Sequence, residues 1–277
     1  MKTILTCLFF ILLFFGTIVL KAQKLEKIWT SPDGLKTPES VLFDNDRDVI
    51  YVSNINGDPA QKDGNGFISI LFPDGKIKNL EWVKKLNAPK GMAIYEEKLY
   101  VADIDQLVEI DIEKGKIVKK YDAPGAVFLN DVTACTNGMI FVSDTRTAKI
   151  YVLHQGEFKA WLEGKPMEAP NGLLAEKGKL YIGDNNIYEA DILTKKVNLV
   201  ISDAGGVDGL EKDNDGNFVF SNWPGRIFIH KDGKNIKLLD TTAEEINSAD
   251  IDFVHKSDEI LVPTFLKNQV VAYKIKW

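Results

Sequence analysis

Short runs of β-branched and aromatic residues alternate with turn-forming residues along the chain from residue 24 onward. Residues 170–202 show the pattern most clearly, because stretches of strand length at 170–175, 179–184, 187–191 and 196–200 are separated by tight polar breaks. Short alternating stretches of this kind predict β-strands, and the breaks predict turns. The segment therefore predicts four antiparallel strands with three tight connections.

The same four-strand unit recurs along the chain. The second strand is the most apolar part of each copy and is found at 49–54, 99–103, 140–144, 180–184, 218–222 and 260–264. Successive copies are roughly 40 residues apart, with about 50 residues after the first, which is the spacing of propeller blades. The sequence predicts an all-β fold, a six-bladed β-propeller.

The first and last segments predict how the ring closes. The last copy, 249–277, has apolar runs for only three strands, whereas residues 25–30 resemble the fourth strands of the other copies. We expect residues 25–30 to become the outer strand of the last blade, because closure removes exposed sheet edges.

Residues 1–22 stand apart from the repeats. Lys2 precedes a largely apolar run from Ile4 to Leu20, and the small residue Ala22 follows, which is the pattern of a secretory signal peptide. We expect a propeller domain at 23–277, secreted or periplasmic after cleavage; an uncleaved membrane anchor is the alternative. Cleavage would remove Lys2 and Lys21 and change the net charge from −6 to −8.

The sequence argues against two classes of partner, nucleic acids and nucleotides. The three arginines, Arg47, Arg146 and Arg226, fall in different repeats, so no clustered basic surface for nucleic acid is expected. No G-x-x-x-x-G-K-[ST] loop occurs in the sequence, which argues against nucleotide use. We expect a small-molecule substrate as the partner.

The first copy is longer than the others, and its extra residues lie at 54–66, between its second and third strands. This connection lies at the same end of a blade as the entrance to the innermost strand, so we expect it to overhang the central channel. Its Gly, Asn and Asp content is also typical of a plain solvent loop. As a lid it would contact substrate through Asp58, Lys62 or Asn65.

Two sets of polar residues recur from copy to copy. The first set ends the second strands, at Asn54, Asp103, Asp144, Asp184 and Asn222. Because the same kind of residue occupies the same place in five copies, we expect these side chains to hold turn backbone and not to act in catalysis.

The second set lies where each innermost strand begins, at Glu39, Lys90, Asn130, Asn171 and Asp208, with Ala249 in the sixth copy. These positions should converge on the channel axis. Two carboxylates and two carboxamides are hard oxygen donors, and two negative charges balance a divalent cation. The set predicts a site for Ca²⁺, or for Mg²⁺ or Mn²⁺, with Glu39, Asn130, Asn171 and Asp208 as ligands.

Turn formation is a simpler explanation for part of this set, since Asn171-Gly172 and Asp208-Gly209 are common turn pairs. Oxygen-bearing side chains at the equivalent place of four copies favour the metal site instead. Asp131 and Asp250 occupy the next position along, and we expect them to support the site without binding the ion directly.

The combination of Glu39, Leu-Asn130-Asp131, Pro-Asn171-Gly-Leu and Asp208-Gly-Leu resembles the senescence marker protein/gluconolactonase family, whose relatives include diisopropyl fluorophosphatase, paraoxonase and strictosidine synthase-like propellers. The resemblance implies a six-bladed propeller with a divalent ion, usually calcium, held on the axis by those four residues. It also implies hydrolysis of lactones or related esters.

The chain departs from that family in its substrate contacts. Phe128 stands where gluconolactonase-type members carry an arginine that contacts the sugar lactone. The histidine pair of paraoxonase-like members has no counterpart, because the three histidines fall at strand ends or turns, at His154, His230 and His255. Lys90 could supply the missing cation at the mouth of the channel, or could swing out to solvent.

The expected activity is metal-assisted hydrolysis, in which the cation polarises the carbonyl of a lactone or ester and Asp208, or else Glu39, is the general base for water. The alternative is a non-catalytic secreted propeller with a structural calcium, whose mouth binds a sugar or a protein partner. The lack of Arg and His helpers near the site favours this alternative.

Overall fold

The computed structural model describes residues 24–276, which form six four-stranded antiparallel sheets arranged as a ring. No α-helix occurs within this range, and a 3₁₀ turn at Phe265–Lys267 is its one helical element. The prediction of an all-β, six-bladed propeller is confirmed. The predicted signal peptide, residues 1–22, lies outside the described residues.

Each of the first five blades is a four-strand meander in chain order. Blade 1 contains β2 (Pro38–Asp44), β3 (Val49–Asn54), β4 (Gly66–Leu71) and β5 (Ile77–Leu86). Blade 2 contains β6 (Pro89–Tyr95), β7 (Lys98–Asp103), β8 (Gln106–Asp111) and β9 (Lys116–Asp122). Blade 3 contains β10 (Leu129–Ala134), β11 (Ile140–Asp144), β12 (Lys149–His154) and β13 (Glu157–Glu163).

Blade 4 contains β14 (Leu173–Glu176), β15 (Lys179–Gly183), β16 (Ile187–Asp191) and β17 (Val197–Ile201). Blade 5 contains β18 (Leu210–Lys212), β19 (Phe218–Asn222), β20 (Arg226–Lys231) and β21 (Lys234–Asp240). Blade 6 contains β22 (Asp252–Val254), β23 (Glu259–Pro263) and β24 (Val270–Lys276), together with β1 (Lys24–Thr30).

The first strand of the described residues, β1, closes the ring, as predicted. β1 pairs antiparallel with β24, with Leu25 opposite Ile275 and Thr30 opposite Val271. Beyond this pairing, Ser31 N–H donates to the Val270 carbonyl at 2.8 Å. The outermost strand of blade 6 therefore comes from residues 24–30, whereas its other three strands lie within residues 252–276.

The apolar core lies between neighbouring blades. One cluster joins Ala93, Tyr100 and Leu107 of blade 2 to Val132 and Tyr151 of blade 3, and the other blades pack in the same way. Because each second strand is covered on both faces by such packing, β3, β7 and β11 read as nearly continuous apolar runs. The outermost strands β1 and β9 are mostly exposed and carry several lysines.

The innermost strands of adjacent blades, β2, β6, β10, β14, β18 and β22, contact one another around the axis. The side chains at their first residues therefore meet at one end of the ring, and those farther along meet deeper inside. Among residues 24–276, no helix has the length and apolar character needed to span a membrane.

Candidate functional site

A cavity of about 420 Å³ opens where the innermost strands begin. Five of the six predicted mouth positions line it, namely Glu39, Lys90, Asn130, Asn171 and Asp208. The sixth, Ala249, is buried and contributes no polar side chain. The structure thus brings all four predicted metal ligands to a single cavity, which falls within the usual volume range of small-molecule sites.

The polar residues that end the second strands hold the chain just before each mouth residue. Carboxylate oxygens accept backbone N–H groups in three blades: Asp103 from Ala88 at 2.8 Å, Asp144 from Val127 at 2.7 Å and Asp184 from Glu168 at 2.7 Å. In blade 1, Asn54 accepts the N–H of Lys36 at 2.9 Å. The predicted role in holding turn backbone is confirmed.

Three serines fix the residue that follows a mouth position, and sequence reasoning missed them. Ser53, Ser143 and Ser221 accept the backbone N–H groups of Ser40, Asp131 and Gly209 at 2.8–2.9 Å. Each serine directly precedes the Asn or Asp that ends the second strand. The recurring Ser-Asn or Ser-Asp pair was the signal that could have found them.

Glu39 is 5% exposed, and its Oε2 atom is buried without a hydrogen-bond partner. Burial raises the pKa of the Glu39 carboxyl well above its usual value. Repulsion from Asp208 raises this pKa further, while attraction to Lys90 lowers it. A buried carboxylate oxygen without a partner is costly, so this atom is suited to interact with a cation or a proton donor bound in the cavity.

Asp208 is also 5% exposed, and its Oδ1 accepts a hydrogen bond from Nδ2 of Asn171 at 2.7 Å. Burial raises the pKa of Asp208 to about 7, although the bond from Asn171 opposes the shift. Within residues 24–276 no hydrogen bond reaches the other oxygen, Oδ2. Asp208 therefore has one oxygen without a hydrogen bond and, in the metal-free protein, a pKa of about 7.

The amide groups of Asn130 and Asn171 are oriented by their neighbours. Nδ2 of Asn130 donates to the hydroxyl of Thr145 at 3.1 Å, and that hydroxyl donates to the Pro170 carbonyl at 2.9 Å. Nδ2 of Asn171 likewise donates to Asp208. Because each Nδ2 group already has an acceptor, the two amide oxygens are available to coordinate a cation. Thr145 lines the cavity and was not foreseen from the sequence.

These residues fit a divalent cation by their chemistry. Glu39 has an unpaired buried oxygen, Asp208 has a free one, and Asn130 and Asn171 have oriented amide oxygens, so four hard oxygen groups face the cavity. In the described part of the chain no cluster of three or more His, Cys, Asp or Glu side chains could hold a metal. A site here would rest on two carboxylates and two amides.

Lys90 is 1% exposed, so the alternative that it swings out to solvent is wrong. Its ammonium donates to the carbonyls of Pro59 at 3.0 Å and Ala88 at 3.1 Å, and lies 4.3 Å from the centre of the Phe128 ring. Burial lowers the pKa of Lys90 to about 8, although Glu39 opposes the shift. Lys90 and Phe128, both predicted substrate contacts, do line the cavity.

The long loop at 54–66 meets the cavity through different residues from those predicted. Ile55 and Pro59 line it, whereas Asp58, Lys62 and Asn65 do not. Asp58 accepts the N–H of Ala60 at 2.8 Å, and Lys62 pairs with Asp105 of blade 2. Asn65 donates to Asp63 at 2.7 Å. The loop satisfies its own polar groups and presents its apolar residues to the channel.

Farther along the innermost strands lies a second cavity of about 190 Å³, with four carboxylates in its wall: Asp131, Glu211, Asp250 and Asp252. Burial raises the pKa of Asp131 to about 7 and of Asp252 to about 6. Asp131 accepts the N–H groups of Val132 at 2.6 Å and Leu173 at 2.5 Å, and Asp250 accepts the Ser40 hydroxyl at 2.6 Å. Asp131 and Asp250 therefore have hydrogen-bond partners within the protein, which suits their predicted supporting role.

Comparisons with known proteins establish the fold of this chain. No protein-family model and no curated protein sequence matches it. Among solved structures, a streptogramin B lyase aligns with a TM-score of 0.68 at 14% identity, covering 92% of this chain and 98% of that one. A protein provisionally assigned as a gluconolactonase aligns with a TM-score of 0.65 at 14% identity, covering 92% and 93%.

A third match is a nidogen/laminin complex, which aligns with a TM-score of 0.62 at 14% identity, covering 76% of this chain and 82% of that one. These neighbours therefore include proteins named as enzymes and a protein complex. At such identities the likeness shows the propeller fold alone.

Proposed function

We propose that this protein is a divalent-metal-dependent hydrolase of lactones or related esters. The observation that carries the proposal is the unpaired buried Oε2 of Glu39, which shares a cavity with Asp208, Asn130 and Asn171. Two structural neighbours that are named as enzymes support the proposal. They are the streptogramin B lyase and the protein provisionally assigned as a gluconolactonase.

Glu39, Asn130, Asn171 and Asp208 are the residues that would hold the ion, and Ca²⁺ is the first choice because every donor is a neutral or anionic oxygen. When bound, such an ion supplies Lewis-acid stabilisation to a carbonyl oxygen that gains negative charge. The two carboxylates, which repel each other in the protein alone, would be neutralised by its charge.

The chain itself supplies proton transfer. Asp208 is the proposed general base for the attacking water, because its carboxylate lines the cavity and its Oδ2 accepts no hydrogen bond within residues 24–276. Asn171 holds the carboxylate in place through Oδ1. Lys90 donates to the Pro59 carbonyl and so positions the long loop beside the same cavity.

A second candidate is a non-catalytic propeller that binds a sugar or protein partner beside a structural calcium. The observation that favours it is the composition of the cavity wall, which includes no histidine and no arginine among the described residues. One of the structural neighbours, the nidogen/laminin complex, is named as an assembly and not as an enzyme.

Two measurements separate the candidates. Turnover of a panel of lactones and aryl esters is measured with chelator, and again after Ca²⁺, Mg²⁺ or Mn²⁺ is restored. Thermal unfolding with and without each ion reports metal binding, since a ligand specific to the folded state raises the melting temperature. Glu39→Gln is compared with the matched surface variant Glu244→Gln, because Glu244 is exposed.

The hydrolase predicts ester or lactone turnover that chelation abolishes, and an ion-dependent rise in melting temperature that Glu39→Gln removes and Glu244→Gln keeps. A stabilising ion without turnover of any ester would favour the binding protein. No effect of any ion on turnover or melting would overturn both proposals.

A further inference from the structure

The cavity wall has two parts of opposite character. Its floor holds the polar residues described above, at the starts of the innermost strands. Its rim comes from the connections around the mouth and is apolar, consisting of Ile55, Pro59, Phe128, Val207, Trp223 and Phe265. We call these six residues the apolar rim.

Two aromatic side chains of the apolar rim lie against each other. The rings of Trp223 and Phe265 meet edge to face, with centroids 5.5 Å apart and an interplanar angle of 78°. Trp223 is 43% exposed, although it follows directly on a buried strand. A large apolar surface left open beside a cavity is typical of a binding site.

The apolar rim offers few hydrogen bonds. The indole N–H of Trp223 is the one polar side-chain group among its members. The nearby ammonium of Lys90 already donates to Pro59 and Ala88. Several ligand hydroxyls placed against the rim would lose their water for few partners, namely the Trp223 indole N–H and the Arg146 guanidinium, which lies 4.2 Å from the centre of the Phe128 ring. This disfavours a polyhydroxylated ligand.

From this division we infer that the substrate carries an aryl or alkyl substituent, which the apolar rim covers while the reacting carbonyl lies at the polar floor. The preferred substrates are then apolar-substituted lactones or esters, and sugar lactones are poor ones. This inference rests on the proposed function, since it names the substrate class of the same site.

Kinetics on matched lactones test the inference. The series is δ-valerolactone, its phenyl- and hexyl-substituted derivatives, and glucono-δ-lactone. Burying a substituent of this size predicts that kcat/KM rises at least tenfold over the parent lactone, and that the polyhydroxylated compound falls below the parent.

Variants of the rim test which residues carry the preference. Trp223→Ala and Phe265→Ala should reduce the ratio of kcat/KM between substituted and parent lactone toward one. Leu266→Ala is the control, because Leu266 is the neighbour of Phe265 but is 62% exposed and lies outside the cavity wall. Urea unfolding of each variant separates loss of the rim from loss of the fold.

Binding supplies a readout that needs no turnover. A phenyl-substituted δ-lactam, which resembles the lactone but resists hydrolysis, should change the tryptophan fluorescence of the protein, and Trp223→Phe should remove most of that change. Phe265→Ala should weaken the binding at least tenfold, whereas Leu266→Ala should leave it intact.

The outcomes distinguish the two proposals. Preference for the substituted lactones that depends on the rim supports the inference. Equal or better hydrolysis of glucono-δ-lactone, or a preference that survives both rim variants, overturns the inference and leaves the hydrolase standing. Lactam binding that depends on the rim, without hydrolysis of any lactone or ester, supports the apolar preference and overturns the hydrolase. Neither binding nor hydrolysis overturns both.

Discussion

The two cavities along the propeller axis contain carboxylates in opposite situations. At the mouth, Oε2 of Glu39 is buried without a partner and Oδ2 of Asp208 is free. Deeper in the ring, both oxygens of Asp131 accept backbone N–H groups. Burial raises the pKa of these carboxyls at both levels, so the pKa alone does not separate them. Hydrogen bonding separates Glu39 from Asp131, whereas Asp208, Asp250 and Asp252 each have one bonded oxygen. The predictions below test the proposal that the mouth carboxylates act in chemistry and that Asp131 is structural.

The largest expected effect concerns Asp208. Asp208→Asn removes the proposed base while keeping the shape of the side chain, so kcat/KM should fall about 10²–10⁴-fold. The free energy of unfolding should change little or rise, because an unfavourable buried charge is lost. Kinetics and urea unfolding of the same sample check both expectations. Full activity in Asp208→Asn would refute the assignment of the base.

Asp131 should respond in the opposite way. Asp131→Ala leaves the N–H groups of Val132 and Leu173 unpaired, at about 1–3 kcal/mol each in the free energy of unfolding. Urea unfolding measures the loss, with Glu244→Ala as the exposed control. If Asp131→Ala kept its stability but lost activity at saturating metal and substrate, the division between the two levels would be wrong.

Lys90 tests the electrostatics of the mouth. Since its charge lowers the pKa of Glu39, Lys90→Met should raise that pKa and move the acidic limb of the kcat/KM profile to higher pH. Lys90→Arg keeps the charge and should move the limb much less. A profile that is unchanged in Lys90→Met would show that Glu39 does not set the acidic limb.

The smallest effect is the pH dependence of stability from the deeper layer. Because burial raises the pKa of Asp252 to about 6, the folded chain binds more protons than the unfolded chain between its ordinary value and pH 6. The contribution of Asp252 to the free energy of unfolding is therefore greatest at low pH. It falls as the pH rises through that window, by at most about 1.4 kcal/mol per pH unit.

Urea midpoints of the chelated protein between pH 4 and pH 7 measure this trend. Asp252→Asn removes the titrating group but keeps an oxygen for the N–H of Phe43. The urea midpoint of the variant, minus that of the unaltered protein, should therefore increase as the pH rises. A constant difference between the two proteins across this range would contradict the expectation.

The fold could be predicted because its signals are local and repeated. Alternating apolar runs and turn residues defined the blades, and the missing fourth strand of the last copy indicated that residues 25–30 pair with β24. The mouth residues were also accessible from sequence, since equivalent positions of a repeat occupy equivalent places around the axis.

The rest of the site depends on how loops fold, which no periodicity encodes. Asp58, Lys62 and Asn65 were chosen for their polarity, yet they bond within the loop or to Asp105, while Pro59 faces the cavity. Trp223 and Phe265 reach the mouth from connections after β19 and β23, and their contact spans residues distant in the chain. Such positions follow from tertiary packing and not from local pattern.

The pairing of β1 with β24 sets the two ends of the described range side by side, with Lys24 opposite Lys276. Assembly of the sixth blade must therefore wait until the final residues of the chain are made, while the other five can form earlier. The same adjacency suits circular permutation of residues 24–276: linking Lys276 to Lys24 and opening new ends between two blades would keep every strand paired.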